Sequence, residues 1–254
     1  MILSYEHQYI FMHCRKTAGS SIAVSLARNL GPKDIFVGGI EEAMDLGINP
    51  PRRVVAAALR ENPVDLVLNR VKGNKQYAAA VSKHAKKRFS RTIGKKPQHV
   101  AAQVMQTTFP VEWSKFFKFC VVRNPYDLVV SDYYWRTSGV SNPPSFEHYM
   151  QALERSDSLD GIVPLDIHSN WPIYTIDDEI AVDAVYHYEQ LPHALETGLK
   201  GAGIPFEGII TKAKSSQRSA RSKNYTEFHT SLTREIVERL YDKEIAAFGY
   251  RFGD

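Results

Sequence analysis

FMHCRKTAGSSI, residues 11–22, is where the pattern of this sequence changes: an apolar run ends at Arg15 and Lys16, and small and hydroxyl residues lead into a helical period. The segment before it, EHQYIFMH (6–13), reads as a strand. The segment after it, GSSIAVSLARNL (19–30), places Ile22, Leu26 and Leu30 on one helical face and stops at Gly31-Pro32. A strand-to-helix turn offers unpaired N–H groups and about half a positive charge, a natural seat for phosphate. Gly19 permits close backbone approach, Thr17, Ser20 and Ser21 add hydroxyls, and Lys16 adds a mobile cation. Taken alone, the loop fits an ordinary capped turn equally well. It is not G-x-x-x-x-G-K-[ST], because Lys16 precedes Gly19, and the chain has no G-x-G-x-x-G fingerprint.

A second turn of this kind follows further along. FFKFCVV (116–122) is a short, nearly all-apolar run that suits a strand covered on both faces of a parallel sheet. Asn124 caps the next helix, Pro125 fits its first position and Asp127 complements its dipole. An unpaired guanidinium at the end of a buried strand is unfavourable, so Arg123 is expected to meet an anion or a carboxylate. Ser131 lies two turns beyond the cap on the same face, so Arg123 and Ser131 can converge on one group; otherwise Arg123 makes a structural salt bridge. DAVYHYEQL (183–191) reads as a strand passing into a helix. The last helix, about 231–248, carries Val237, Leu240, Tyr241, Ile245 and Phe248 in one stripe and ends at Gly249. Residues 41–108 read as helical and basic. The alternation predicts an α/β fold: a single domain over 1–254, with a mostly parallel central sheet flanked by helices and a helical insertion.

Composition narrows the classes. A chain of 254 residues buries a core without disulfides or metal, and its two cysteines, Cys14 and Cys120, sit in apolar runs where they pack as small hydrophobes. So few cysteines point to a reducing compartment. No apolar stretch reaches the roughly 20 residues of a membrane span, and the first residues lack the pattern of a signal peptide. A cytoplasmic protein is expected. The net charge of +4 is clustered in SKHAKKRFSRTIGKKP (82–97) and KAKSSQRSARSKNY (212–225), which attract anions; the first run also reads as a solvated face. The nine histidines are dispersed without ligand spacing, so no metal is expected.

Two phosphate seats in one sheet would bracket a nucleotide phosphorylated at both ends of its ribose, which matches 3′-phosphoadenosine-5′-phosphosulfate (PAPS). FMHCRKTAGSSI resembles the 5′-phosphosulfate loop of carbohydrate-type PAPS-dependent sulfotransferases, close to F-I-H-x-P-K-T-[AG]-G-[ST]-[ST]. FCVVRNPYDLVVSDYY (119–134) resembles their 3′-phosphate motif, F-x-x-R-[ND]-P-x-[DE]-R-x-[VL]-S-x-Y-Y. YHYEQL (186–191) and RLYDKEIAAFGYRF (239–252) are similar to the family's later strand and its terminal helix and strand. Arg15 departs from the usual proline, Leu128 from the usual arginine, and residues 41–96 match no part of the pattern. The resemblance implies a P-loop-kinase-like sulfotransferase fold with residues 41–108 on the acceptor side. Arg15, Lys16, Thr17, Ala18, Gly19, Ser20 and Ser21 would hold the 5′-phosphate, Lys16 also stabilising charge on the departing nucleotide (PAP). Arg123 and Ser131 would bind the 3′-phosphate. Candidates for a basic loop closing over the nucleotide are Arg218, Arg221, Lys223 and Tyr225.

Sulfuryl transfer needs a base near the acceptor hydroxyl. The favoured residue is His99, at the start of a helix before the 3′-phosphate strand, with His84 or a carboxylate as the alternative and a capping or surface role for His99 as the other reading. His13 is expected to be structural. His84, His168 and Trp135 are candidate acceptor-binding residues; a packing role suits His168 equally, and Trp135, with Tyr133 and Tyr134, reads more readily as packing the core or the cleft wall. The expected acceptor is a hydroxyl of a carbohydrate or glycolipid, with no nucleic-acid partner, and the basic middle hints at an acidic acceptor or a peripheral membrane contact. The rivals are a nucleotide-dependent kinase or other phosphoryl transferase, and a non-enzymatic polyanion-binding protein.

Overall fold

The apolar run ahead of the loop is a fully buried strand in the computed structural model, which describes residues 1–162, 169–209 and 224–254. The chain opens with β1 (Ile2–Ser4), β2 (Tyr9–Met12), α1 (Gly19–Ala27) and β3 (Ile35–Phe36). The expected helical middle contains α2 (Ile40–Asp45), α3 (Arg52–Glu61), α4 (Pro63–Lys72), α5 (Asn74–Ile93) and α6 (Ala102–Thr108), followed by α7 (Pro110–Lys115). Next come β4 (Phe117–Val122), α8 (Pro125–Arg136), α9 (Phe146–Arg155) and one turn of helix, α10 (Trp171–Tyr174). A small hairpin of β5 (Thr175–Ile176) and β6 (Glu179–Ile180) precedes β7 (Ala184–His187), α11 (His193–Gly201), α12 (Ser231–Leu240) and α13 (Asp242–Phe248). The class is α/β. By backbone contacts the chain divides into two compact units, Met1–Val122 with Pro172–Ser215, and Arg123–Trp171 with Ser216–Asp254.

The first unit holds the main sheet, ordered β3-β1-β2-β4-β7 among the described residues. β2, β4 and β7 run parallel, with Phe11 opposite Phe119 and Val121 opposite Tyr186. β1 pairs antiparallel with both β2 and β3, so the sheet is mixed rather than mostly parallel. The cause lies in residues 2–8: the strand Ile-Leu-Ser precedes the run read as the first strand, and a turn this short can only fold back antiparallel. Asp34, 1% exposed, fixes that turn by accepting from Ser4 Oγ at 2.7 Å, Tyr5 N at 2.7 Å, Glu6 N at 3.2 Å and Gly31 N at 3.0 Å. Phe11, Phe36, Phe119 and Val121 pack in one cluster with Ile22 and Leu26 of α1 and with Val81 and Ala85 of α5. Cys14 and Cys120 are buried and form no disulfide, as their apolar surroundings predict.

The second unit is built on α8. Its start follows the sequence: Asn124 Oδ1 accepts from Tyr126 N at 3.1 Å, Pro125 takes the first position and Asp127 lies in the first turn. Val129, Tyr149, Met150, Leu153, Ile236 and Val237 form its core, and Tyr133 packs edge-on against Phe146 and Tyr149. The terminal stripe is not one helix. It divides at Tyr241, whose backbone (φ −125°, ψ 28°) leaves the helical region, and Asp242 opens α13 by accepting from Lys243 N at 2.8 Å. Tyr241 keeps its place in the core, which is why the apolar period runs through the break unchanged. Among the described residues, no helix is long and apolar enough to cross a membrane.

Candidate functional site

The loop between β2 and α1 has a conformation that residue types do not announce. Lys16 and Ala18 both adopt left-handed backbone, φ 61° and 60°. Each such non-glycine residue costs about 1–3 kcal/mol, and strain of this kind is stored where a site demands it. Left-handed residues alternating with right-handed ones build anion-binding nests, and two left-handed residues one position apart make this loop a candidate for one. α1 then begins without a side-chain cap, Ala18 standing at its N-cap position. The residue at the N-cap position therefore takes up none of the first-turn N–H groups with its side chain. Thr17 is wholly buried and donates from Oγ1 to Cys14 O at 3.2 Å, which ties the loop internally. Arg15, Lys16, Ser20 and Ser21 are half-buried at its surface.

Gly19 is needed because of His13. A Cβ at Gly19 would overlap the His13 ring. That ring is 5% exposed, stacks on Phe11 with centroids 5.6 Å apart, and meets the His99 ring edge-on at 4.9 Å. His99 lies in a 3-10 turn, Pro97–His99, ahead of α6 rather than on that helix. The fold nevertheless brings it to the loop: His99 Nδ1–H donates to the His13 carbonyl at 2.8 Å, across 86 residues of sequence. The carbonyl only accepts, so Nδ1 carries the hydrogen and Nε2 the lone pair. Burial pushes the His99 imidazole down to about 3; the bond to His13 opposes this, while Arg15 and Lys86 add to it. His99 is therefore a neutral imidazole with a fixed tautomer, tied to the residue that precedes the loop. The buried His13 ring is packed between Phe11 and His99.

The second motif is preorganised by its own carboxylate. Arg123 is 6% exposed, and its Nε donates to Asp127 Oδ2 at 2.8 Å, with Nη2 on the same oxygen. The sequence expectation that Arg123 meets an anion or a carboxylate is met by Asp127, one turn into α8. Ser131 lies half-buried on α8, two turns from the cap.

Other predicted residues take more varied places. His84 is 4% exposed on α5, with Nε2 at 2.6 Å from Asp65 Oδ2 of α4; this contact holds the Asp65 carboxyl below its usual range. Trp135 is 40% exposed, beside the Arg136 guanidinium. Tyr225 is half-buried and its hydroxyl is engaged with the chain end, donating to Asp254 O at 3.2 Å and accepting from Gly253 N at 2.8 Å. His168, Arg218, Arg221 and Lys223 lie outside the described residues. Among the described residues no group of His, Cys, Asp and Glu side chains is placed to hold a metal ion. A cavity of about 470 Å³ lined by Tyr5, Pro32, Lys33, Arg52, Arg53 and Ala56 opens on the turn that precedes β2, whereas the loop follows β2. None of the predicted site residues lines it.

No family model, no curated protein and no solved structure matches the chain. The function must be read from the chemistry of the loop and the motifs.

Proposed function

We propose that the protein transfers a sulfuryl group from PAPS to a hydroxyl of a carbohydrate or glycolipid by in-line displacement. The observation that carries this reading is the β2–α1 loop: two left-handed non-glycine residues, an alanine at the N-cap of α1, Lys16 half-buried in the loop and a neutral histidine tied to the residue before it. The loop would hold the 5′-phosphate. Arg123, oriented by Asp127, and Ser131 would read the 3′-phosphate. In the transfer, the acceptor oxygen forms its bond to sulfur as the bond from sulfur to the 5′-phosphate oxygen breaks, and PAP departs. Lys16 stabilises the charge that grows on that oxygen. The acceptor proton would pass to His99 Nε2, the one nitrogen of that ring with a lone pair, once the negative charge of the bound nucleotide raises the imidazole from about 3.

Calorimetric titration with PAP tests the nucleotide site. PAP should bind without added metal and more tightly than AMP. Lys16→Ala should weaken PAP binding roughly ten- to hundredfold, the effect of a lost charge-assisted contact. Ser131→Ala should weaken PAP roughly tenfold and leave AMP unchanged, because only the 3′-phosphate is affected. Equal affinity for PAP and AMP would remove the sulfotransferase reading. Binding of ATP with Mg²⁺ in preference to PAP would favour phosphoryl transfer, which the same kind of loop serves.

A further inference from the structure

Helix α4 is apolar on the side it turns away from the protein. Its one buried side chain is Leu66, 1% exposed and part of the core of the first unit. Val64, Val67, Leu68 and Val71 recur at i, i+3, i+4 and i+7 and are 66%, 61%, 54% and 85% exposed. With successive residues about 100° apart, these four share one stripe, and Leu66 points roughly 150° away from its centre. Arg70 falls on one flank of the stripe and Lys72 on the other. Asp65 and Asn69 take the remaining side, where Asp65 meets His84 of α5. A surface helix ordinarily presents polar residues outward, and a contiguous apolar row there marks an interaction site.

The surrounding charge says what kind. Residues 52–96 contain thirteen lysines and arginines against two acidic residues, a net +11 in a chain whose total is +4, so the rest is net negative. Both acidic residues are already engaged: Glu61 with Lys87 at 2.9 Å and Arg91 at 2.7 Å, and Asp65 with His84 at 2.6 Å. Arg60, Lys72 and Lys75 are exposed and have no ion-pair partner among the described residues.

We infer that this face docks on an anionic lipid surface, with α4 lying in the plane of the headgroups. Its valines and leucine would enter the acyl boundary while Arg70 and Lys72 meet the phosphates on either side. A second copy of the chain fits less well, because a twofold contact would set the same cations against each other. A soluble polyanion would use the cations and leave the aliphatic row in water. This inference concerns α4 alone and does not depend on the nucleotide site.

Co-sedimentation of the full chain with vesicles tests it. The protein should pellet with phosphatidylcholine vesicles that contain phosphatidylglycerol, and not with phosphatidylcholine alone. Val67→Ser combined with Val71→Ser should weaken that binding roughly tenfold or more. Arg70→Gln combined with Lys72→Gln should weaken it roughly tenfold or more and flatten its salt dependence. All four side chains are exposed, so both variants should keep the parent's circular dichroism spectrum and PAP affinity. Failure to bind the anionic vesicles overturns the inference. So does parent-like binding by the valine variant, which would mean a purely electrostatic polyanion surface. Self-association of the parent in sedimentation velocity, abolished in the valine variant, would overturn it in favour of a second copy.

Discussion

Gly19→Ala should lower the unfolding free energy by roughly 1–3 kcal/mol, the range for an overpacked interior, and, by displacing the loop, weaken PAP binding as well. The new methyl group would overlap the His13 ring and approach the Cys14 carbonyl at 3.2 Å. Neither neighbour can retreat easily. The His13 ring is stacked on Phe11, and Phe11 is part of the first unit's core. Its other side meets His99, which is anchored on the His13 carbonyl. Relief must come from the loop, displacing the left-handed residues Lys16 and Ala18. Gly201→Ala is the control: this glycine ends α11, a Cβ there would meet nothing, and alanine is the better helix residue by roughly 0.5–1 kcal/mol. Denaturant unfolding of the three proteins, with PAP titrations of each, reads both effects. A Gly19→Ala protein as stable and as tight-binding as the parent would show that the close approach of His13 is dispensable.

The features legible in the sequence were those written locally. Asn124, Pro125 and Asp127 announce the start of α8 because cap, ring and carboxylate each act within one turn. The helical middle and the strand at 117–122 follow from period and apolar content in the same way. Features set by distant neighbours were not legible. β1 is three residues long, too short to carry a period, and exists because β2 and β3 pair with it on either side. The break at Tyr241 leaves the apolar stripe intact, so nothing in the period betrays it. The left-handed turns at Lys16 and Ala18 run against the preference of both residue types and lie beside the buried Thr17 and the packed His13–Gly19 contact. The sequence did favour His99 as the base, but from likeness of motif; its tie to the His13 carbonyl closes a loop of 86 residues that no local signal records. The outward row on α4 was present in the letters, yet an apolar period on a helix is ordinarily read as facing the core, and only the burial of Leu66 shows which side faces in.

His99→Asn should reduce the rate of sulfuryl transfer by roughly 10²–10⁴, the usual contribution of a positioned general base, while leaving PAP affinity unchanged. Asparagine is the informative substitution because its amide can still donate to the His13 carbonyl, as Nδ1–H does, but it offers no basic nitrogen in place of Nε2. The assay is transfer of radiolabelled sulfate from PAPS to a set of neutral and acidic oligosaccharides. A loss in rate accompanied by an equal loss in PAP affinity would make His99 a support of the loop and not the base. Its protonation supplies an independent readout. The folded-state value of about 3 lies below the ordinary 6.5, so between those limits the unfolded chain binds the proton and the folded chain does not. Stability should therefore fall as pH drops from 6.5 toward 3, by up to about 1.4 kcal/mol per pH unit from this group. His99→Asn should make that slope shallower by one proton. His229, also pushed down by burial, titrates in the same sense in both proteins and drops out of the difference. When PAP binds, its negative charge should offset Arg15 and Lys86, and the His99 imidazole should titrate at higher pH in a nuclear magnetic resonance titration. An imidazole that titrates at the same pH with and without PAP would place the nucleotide's phosphates too far from His99 for it to serve as the base.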